Sequence, residues 1–166
     1  MTVTLLPSAK RRNIEASWFV YADAQLAATF PGAIDFRGSP FDEAGKAEWC
    51  EVWLVGPAAT HVGRYVNPTD RAQSVVYMPQ ANIFVRPSLQ TSTYRLADLR
   101  DAVAATMKDG VVIPVLNYAG DSSAVGSLIV RRTNLDQEIP APGNAPEDLR
   151  MHAYSVDCDW IELYQP

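Results

Sequence analysis

The chain of 166 residues is 48% hydrophobic and 20% charged, the composition of a globular domain that buries a core without metals or disulfides. Its 19 acids against 14 bases leave a net charge of -5, which excludes the broad basic surface that tight nucleic-acid binding needs. No apolar run approaches the roughly 18 to 20 residues that cross a bilayer as a helix. The opening MTVTLLPSAKRR places its basic residues after the apolar ones, the wrong order for a signal peptide, so the expectation is a protein kept in a cytoplasm.

Residues 1 to 12 have no clear period and read as a flexible arm. Residues 13 to 30 read as a first helix: Ile14, Trp18, Tyr21, Gln25 and Ala28 form one stripe, widened by Phe19, Ala22 and Leu26. Asn13 is suited to cap it, and Pro31-Gly32 ends it. Ala33 to Arg37 is a short extended segment before the turn at Gly38-Ser39-Pro40. Trp49 to Val55 is a strand rich in aromatic and β-branched residues. Alternation sends Cys50, Val52 and Leu54 to the core, and Trp49, Glu51 and Trp53 outward.

Residues 56 to 72 are turn-rich and read as the projecting tip of a hairpin whose second strand is Ser74 to Arg86. Pro79 predicts a bulge or an edge position in that strand. Thr93 to Lys108 reads as a second helix, with Leu96, Leu99, Val103 and Met107 on its core stripe, an Arg95–Asp98 contact, and Gly110 as its stop. Val111 to Tyr118 and Val125 to Thr133 are further strands. Residues 134 to 149, with three prolines and a glycine, read as a long projecting loop, and Met151 to Tyr164 as a final strand. The order predicts one α+β domain: a mixed, largely antiparallel sheet with about two helices on one face.

Searches for chemistry fail at definable steps. The hydrolase elbow and the glycine-rich nucleotide loops are absent. His61 and His152, the two histidines, have no metal-ligand spacing with Cys50 or Cys158, so no cofactor or metal is expected. The cysteines sit on apolar strand faces, where thiols are inert core groups and not nucleophiles. Asp42, Glu43 and Glu48 surround a Gly-Lys turn and read as solvated acids, as do Asp157 and Asp159 on one strand face.

Several phrases carry a family likeness. The turn Gly38-Ser39-Pro40-Phe41 precedes Trp49-Cys50-Glu51-Val52, SVVYMPQANIFVRP leads into TYRLADLRDAVAATM, and MHAYSVDCDWIEL closes the chain. This order, over residues 14 to 164, resembles the lambda-type tail terminator proteins of tailed phages. Cys50-Glu51 stands where that family usually has Val-Arg, and residues 56 to 72 and 134 to 149 are insertions.

The resemblance implies a structural virion protein of the tail or neck, without catalysis, assembled in the host cytoplasm. It would form a homohexameric ring that caps the tail tube, stops its polymerisation and meets the head-tail connector or stopper protein, with DNA passing the lumen without specific binding. The interface candidates are Trp49 and Trp53, His61, Arg64, Tyr65 and Arg71 around the first insertion, and Glu138 and Glu147 in the second. The alternatives are a head-tail joining or neck adaptor of the same virion, or a small enzyme using Cys50 or the acids of residues 42 to 48.

Overall fold

The computed structural model describes residues 2–65, 69–140 and 148–165, with the side chains of 59–65 left outside the description. Its strands are β1 (Thr4–Leu5), β2 (Ile34–Phe36), β3 (Glu48–Tyr65), β4 (Arg71–Val85), β5 (Val112–Leu116), β6 (Ala124–Ile139) and β7 (Arg150–Gln165). Two α-helices are described, α1 (Arg11–Leu26) and α2 (Arg95–Thr106). The strands form one sheet in the order β2-β3-β4-β7-β6-β5, with β1 on β7. The β2–β3 pair is parallel and the other pairs are antiparallel. The fold is α+β, as the order of elements predicts.

The sheet curls far enough for α1 to touch β2 and β3 near one end and β5 at the other. The stripe Ile14, Trp18, Ala22 and Leu26 fills this concave face, and Leu96, Leu99, Val103 and Met107 of α2 close it. Polar contacts fix the helices in place. The Trp18 Nε1–H donates to the Trp53 carbonyl at 2.7 Å, and the Tyr21 hydroxyl donates to the Thr106 carbonyl at 2.8 Å. Ser17 accepts the Leu116 N–H at 3.0 Å, which ties α1 to β5.

Local signals were overridden where partners supplied stronger contacts. Asn13 does not cap α1, which begins at Arg11. It is fully buried, donates to the Pro7 carbonyl at 2.9 Å and to Asn117 Oδ1 at 3.1 Å, and accepts the Ala119 N–H at 3.1 Å. The expected arm is docked: β1 pairs with the end of β7, and the Trp160 Nε1–H donates to the Ser8 carbonyl at 2.7 Å. Arg95 forms its ion pair with Glu48 instead of Asp98.

The two expected loops are partly strand. β3 runs on through residues 56 to 65 against β4, with register shifts along the way, and β6 continues through Ile139. At the first of these shifts Gly56 has φ +105°, and a Cβ there would lie 3.0 Å from the Val76 carbonyl oxygen. A side chain at this position would therefore strain the backbone as well as crowd β4. Pro79 stands in an inner strand between β3 and β7, not at an edge. Its missing N–H is accommodated because the β4–β7 ladder passes from Tyr77 to Gln80 without pairing Met78 or Pro79.

Candidate functional site

The acids and thiols of residues 42 to 51 are dispersed by the fold. Cys50 is wholly buried on the helix side of the sheet, and burial, reinforced by the nearby Glu51, pushes its thiol far above the usual range. Cys158 is also free and buried, its thiol pushed up to about 12 by the same desolvation. A thiol held protonated in this way has no thiolate to offer as a nucleophile. Glu48 leaves the turn altogether. Arg95 grips both of its oxygens, at 2.7 Å for the Nε bond, and Gln90 donates at 2.9 Å, so the Arg95 hydrogen bonds lead in holding this carboxyl below its ordinary range.

Asp42 accepts the Ala44 N–H at 2.9 Å, a turn contact as expected. Asp157 and Asp159 are paired across strands with Arg132 and Arg131, at 2.7 and 2.8 Å. Among the described residues, no group of three or more His, Cys, Asp or Glu side chains is placed to hold a metal ion. Among the described residues, no helix is long and apolar enough to cross a membrane.

The sheet face opposite the helices carries the aromatic row. Trp49 does not project outward as alternation alone suggests, because it is only 2% exposed. Its ring stacks on Phe84, its cross-strand partner, at 4.8 Å and 7°, and the Arg86 guanidinium lies 5.1 Å from the ring centroid. Arg86 also donates to the carbonyls of Glu43 and Lys46, so the segment between β2 and β3 is fastened beside this stack. The Trp49 indole N–H is buried with no hydrogen-bond partner. Alternation identifies which side of a strand a residue occupies, but not whether that side is covered.

Trp53 keeps a partly open position, with the Arg37 guanidinium 4.8 Å above its ring. Glu51 is half-buried between them in sequence, with Asp35 as its β2 register partner and Asn82 as its β4 partner. Arg71 starts β4, opposite Tyr65 on β3 and Tyr164 on β7. His61 and Arg64 stand in β3 opposite Ser74 and Ala72. The side chains of His61, Arg64 and Tyr65, and Glu147 entirely, lie outside the described residues. Glu138 is held by Arg150 through two bonds of 2.8 and 2.9 Å. The candidates therefore divide between the β3–β4 hairpin and the far end of β6, without forming a single cluster.

Beyond the body, β3, β4 and β7 continue as an extension, with β1 paired on the end of β7. β4 is paired from Glu48↔Val85 to Tyr65↔Arg71 on one side and, apart from Met78 and Pro79, from Val85↔Arg150 to Arg71↔Tyr164 on the other. At ~3.3 Å per residue the 15 residues of β4 span roughly 50 Å in all, with Val75 to Val85 lining the body and the remainder forming the extension. β2 covers β3 only at Cys50 to Val52, and Arg11 then binds the carbonyls of Leu54 and Gly56. Among the described residues, no strand pairs with the outer edge of β3 beyond that point. The extension carries Val55 and Ile161 as exposed apolar side chains, and Leu5 of β1 beside it.

A charged cluster escaped the sequence reading because residues 134 to 139 look like loop. There Asp136 accepts from His152 Nε2 at 2.8 Å and from Arg100 Nε at 2.9 Å, and Arg100 also bonds Asp101. These contacts pin α2 to β6 and β7. With Leu135 and Ile139 four residues apart and Gln137 polar between them, the segment carries no apolar alternation that could have exposed the strand.

No family model and no curated protein matches the chain. Thirteen chains of solved structures are similar to it. One of them superposes with a TM-score of 0.59 at 11% sequence identity, covering 91% of this chain and 95% of its own. Its name is a bare sequence label, and at this identity the likeness is one of fold.

Proposed function

We propose that this chain is a structural, non-catalytic virion subunit, a tail terminator that forms a homohexameric ring, caps the tail tube and joins it to the head connector. The observation that carries this reading is the ribbon of β3, β4 and β7. A long hairpin whose outer edge has, among the described residues, no strand partner beyond Gly56 and which carries apolar side chains on its surface is costly to leave in water and suited to contact between subunits. The same ribbon holds Trp53, His61, Arg64, Tyr65 and Arg71. Heterologous contacts of this kind close into rings when the rotation between copies allows.

Two further features support the reading. The observed order, α1, β2–β4, α2, β5–β7, follows the order of elements on which the family resemblance rests. The net charge of -5 suits a channel that lets DNA pass without retaining it. The test is to add the purified protein to tail tube protein that is polymerising. Growth should stop, with the chain at tube ends; uninterrupted growth and no end binding would remove the terminator role.

A further inference from the structure

The outer edge of β3 is satisfied one backbone group at a time until the hairpin leaves the body. The Cys50 N–H donates to the Ala33 carbonyl at 3.0 Å, and the Val52 carbonyl accepts the Arg37 N–H at 3.5 Å. β2 itself ends at Phe36. Leu54 and Gly56 follow at the same two-residue interval, so their carbonyls belong to the same edge. Arg11 takes both: its Nη2 donates to the Leu54 carbonyl at 2.9 Å, and its Nη1 donates to the Gly56 carbonyl. A side chain from the start of α1 thus stands where the next residues of a pairing strand would. Guanidinium suits that place because its donors form a fixed planar fork.

Three observations mark this contact as one that opens. The Arg11 side chain is 45% exposed, so an approaching chain can reach it. Glu15 lies one turn along α1, with its Oε1 3.9 Å from Arg11 Nη2, and offers the guanidinium a second partner. Just beyond, β3 shifts register between Val55 and Ala58, and among the described residues no strand pairs with its outer edge from there on. The Leu54 and Gly56 carbonyls are therefore the inner end of the edge on which the proposed subunit contact rests.

We propose that Arg11 guards β3: it blocks strand addition at Leu54 and Gly56 in the free subunit, and turns to Glu15 when a second copy lays an extended segment along that edge. This inference rests on the subunit contact proposed above and names what regulates it. An uncovered edge accepts almost any extended chain. A guanidinium on the two carbonyls nearest the body restricts pairing to a partner that displaces it. Every group keeps a partner in the exchange. The carbonyls trade Arg11 for backbone N–H donors of the second copy, and Arg11 trades the carbonyls for the Glu15 carboxylate.

Sedimentation equilibrium of the full chain tests the guard. Arg11→Met removes the donors and keeps an unbranched side chain; it should tighten self-association about tenfold, the factor that one hydrogen bond to a charged group represents. Glu15→Gln removes the second partner and should weaken association about twofold. A residue that only braces the hairpin would give the opposite sign in Arg11→Met, so association equal to or weaker than wild type overturns the proposal. Should Arg11→Met fail to fold, Glu15→Gln decides, and unchanged association there contradicts the guard. Tube growth separates the two readings. Tighter association of Arg11→Met with no effect of either protein on growing tubes keeps the guard and removes the terminator role. A wild type that caps tubes, with Arg11→Met associating no more tightly, removes the guard alone.

Discussion

Asn13 shows how much one buried polar side chain can hold. It links the N-terminal segment, α1 and the turn after β5 through three hydrogen bonds. Asn13→Ala would leave the Pro7 carbonyl and the Ala119 N–H without these partners, and should cost about 2–3 kcal/mol in a urea melt. A loss of a few tenths would mean that water replaces it. Gly126 makes a second case: its φ is +147°, and a Cβ would stand 2.7 Å from the Trp160 ring. Gly126→Ala should displace that indole, weakening its bond to Ser8, with a loss of about 1–3 kcal/mol and a shifted tryptophan emission.

Charge at single residues sets the acid limit of stability. The Arg100 hydrogen bonds, with His152 adding to them, hold Asp136 down to about 2. A carboxyl depressed by folding contributes stability above its unfolded value, and that contribution is lost as pH falls through the window from about 4 to about 2. Arg100→Met should therefore lower stability at neutral pH and flatten the decline across this window in pH-dependent denaturation. An unchanged slope would show that Asp136 does not supply it.

At the scale of elements, the β3–β4 hairpin and the helix-packed body should be separable. Deleting residues 60 to 70 shortens the tip while keeping the β3–β4 pairs from Glu48↔Val85 to Ala58↔Val76. We expect native circular dichroism and a melting temperature within a few degrees, together with lost self-association by sedimentation. Unfolded spectra would place the tip in the core. Legibility in the sequence followed the same division. The stripe of α2 and the row Cys50, Val52, Leu54 were readable because periodicity reports directly on one buried face. Trp49 was not, since its cover comes from Phe84, Arg86 and a segment fastened by backbone carbonyls, none of which leaves a periodic mark. The glycine- and proline-bearing stretch after Val55 became strand because β4 offers it a ladder, a long-range gain that outweighs local turn preference. The interface candidates were legible only as residue types, and the fold scatters them between the hairpin and β6.

For the whole molecule, an α+β body built around α1 carries a long ribbon in which, among the described residues, the outer edge of β3 has no strand partner beyond β2. The proposed assembly draws on the edge of β3, which has no strand partner beyond Gly56 among the described residues, and on the exposed Val55 and Ile161. The most direct measurement is negative-stain imaging of the purified chain, alone and mixed with tail tubes. Six-fold rings, free or seated at tube ends, are the predicted result. Single copies in both samples, with bare tube ends, would contradict the account.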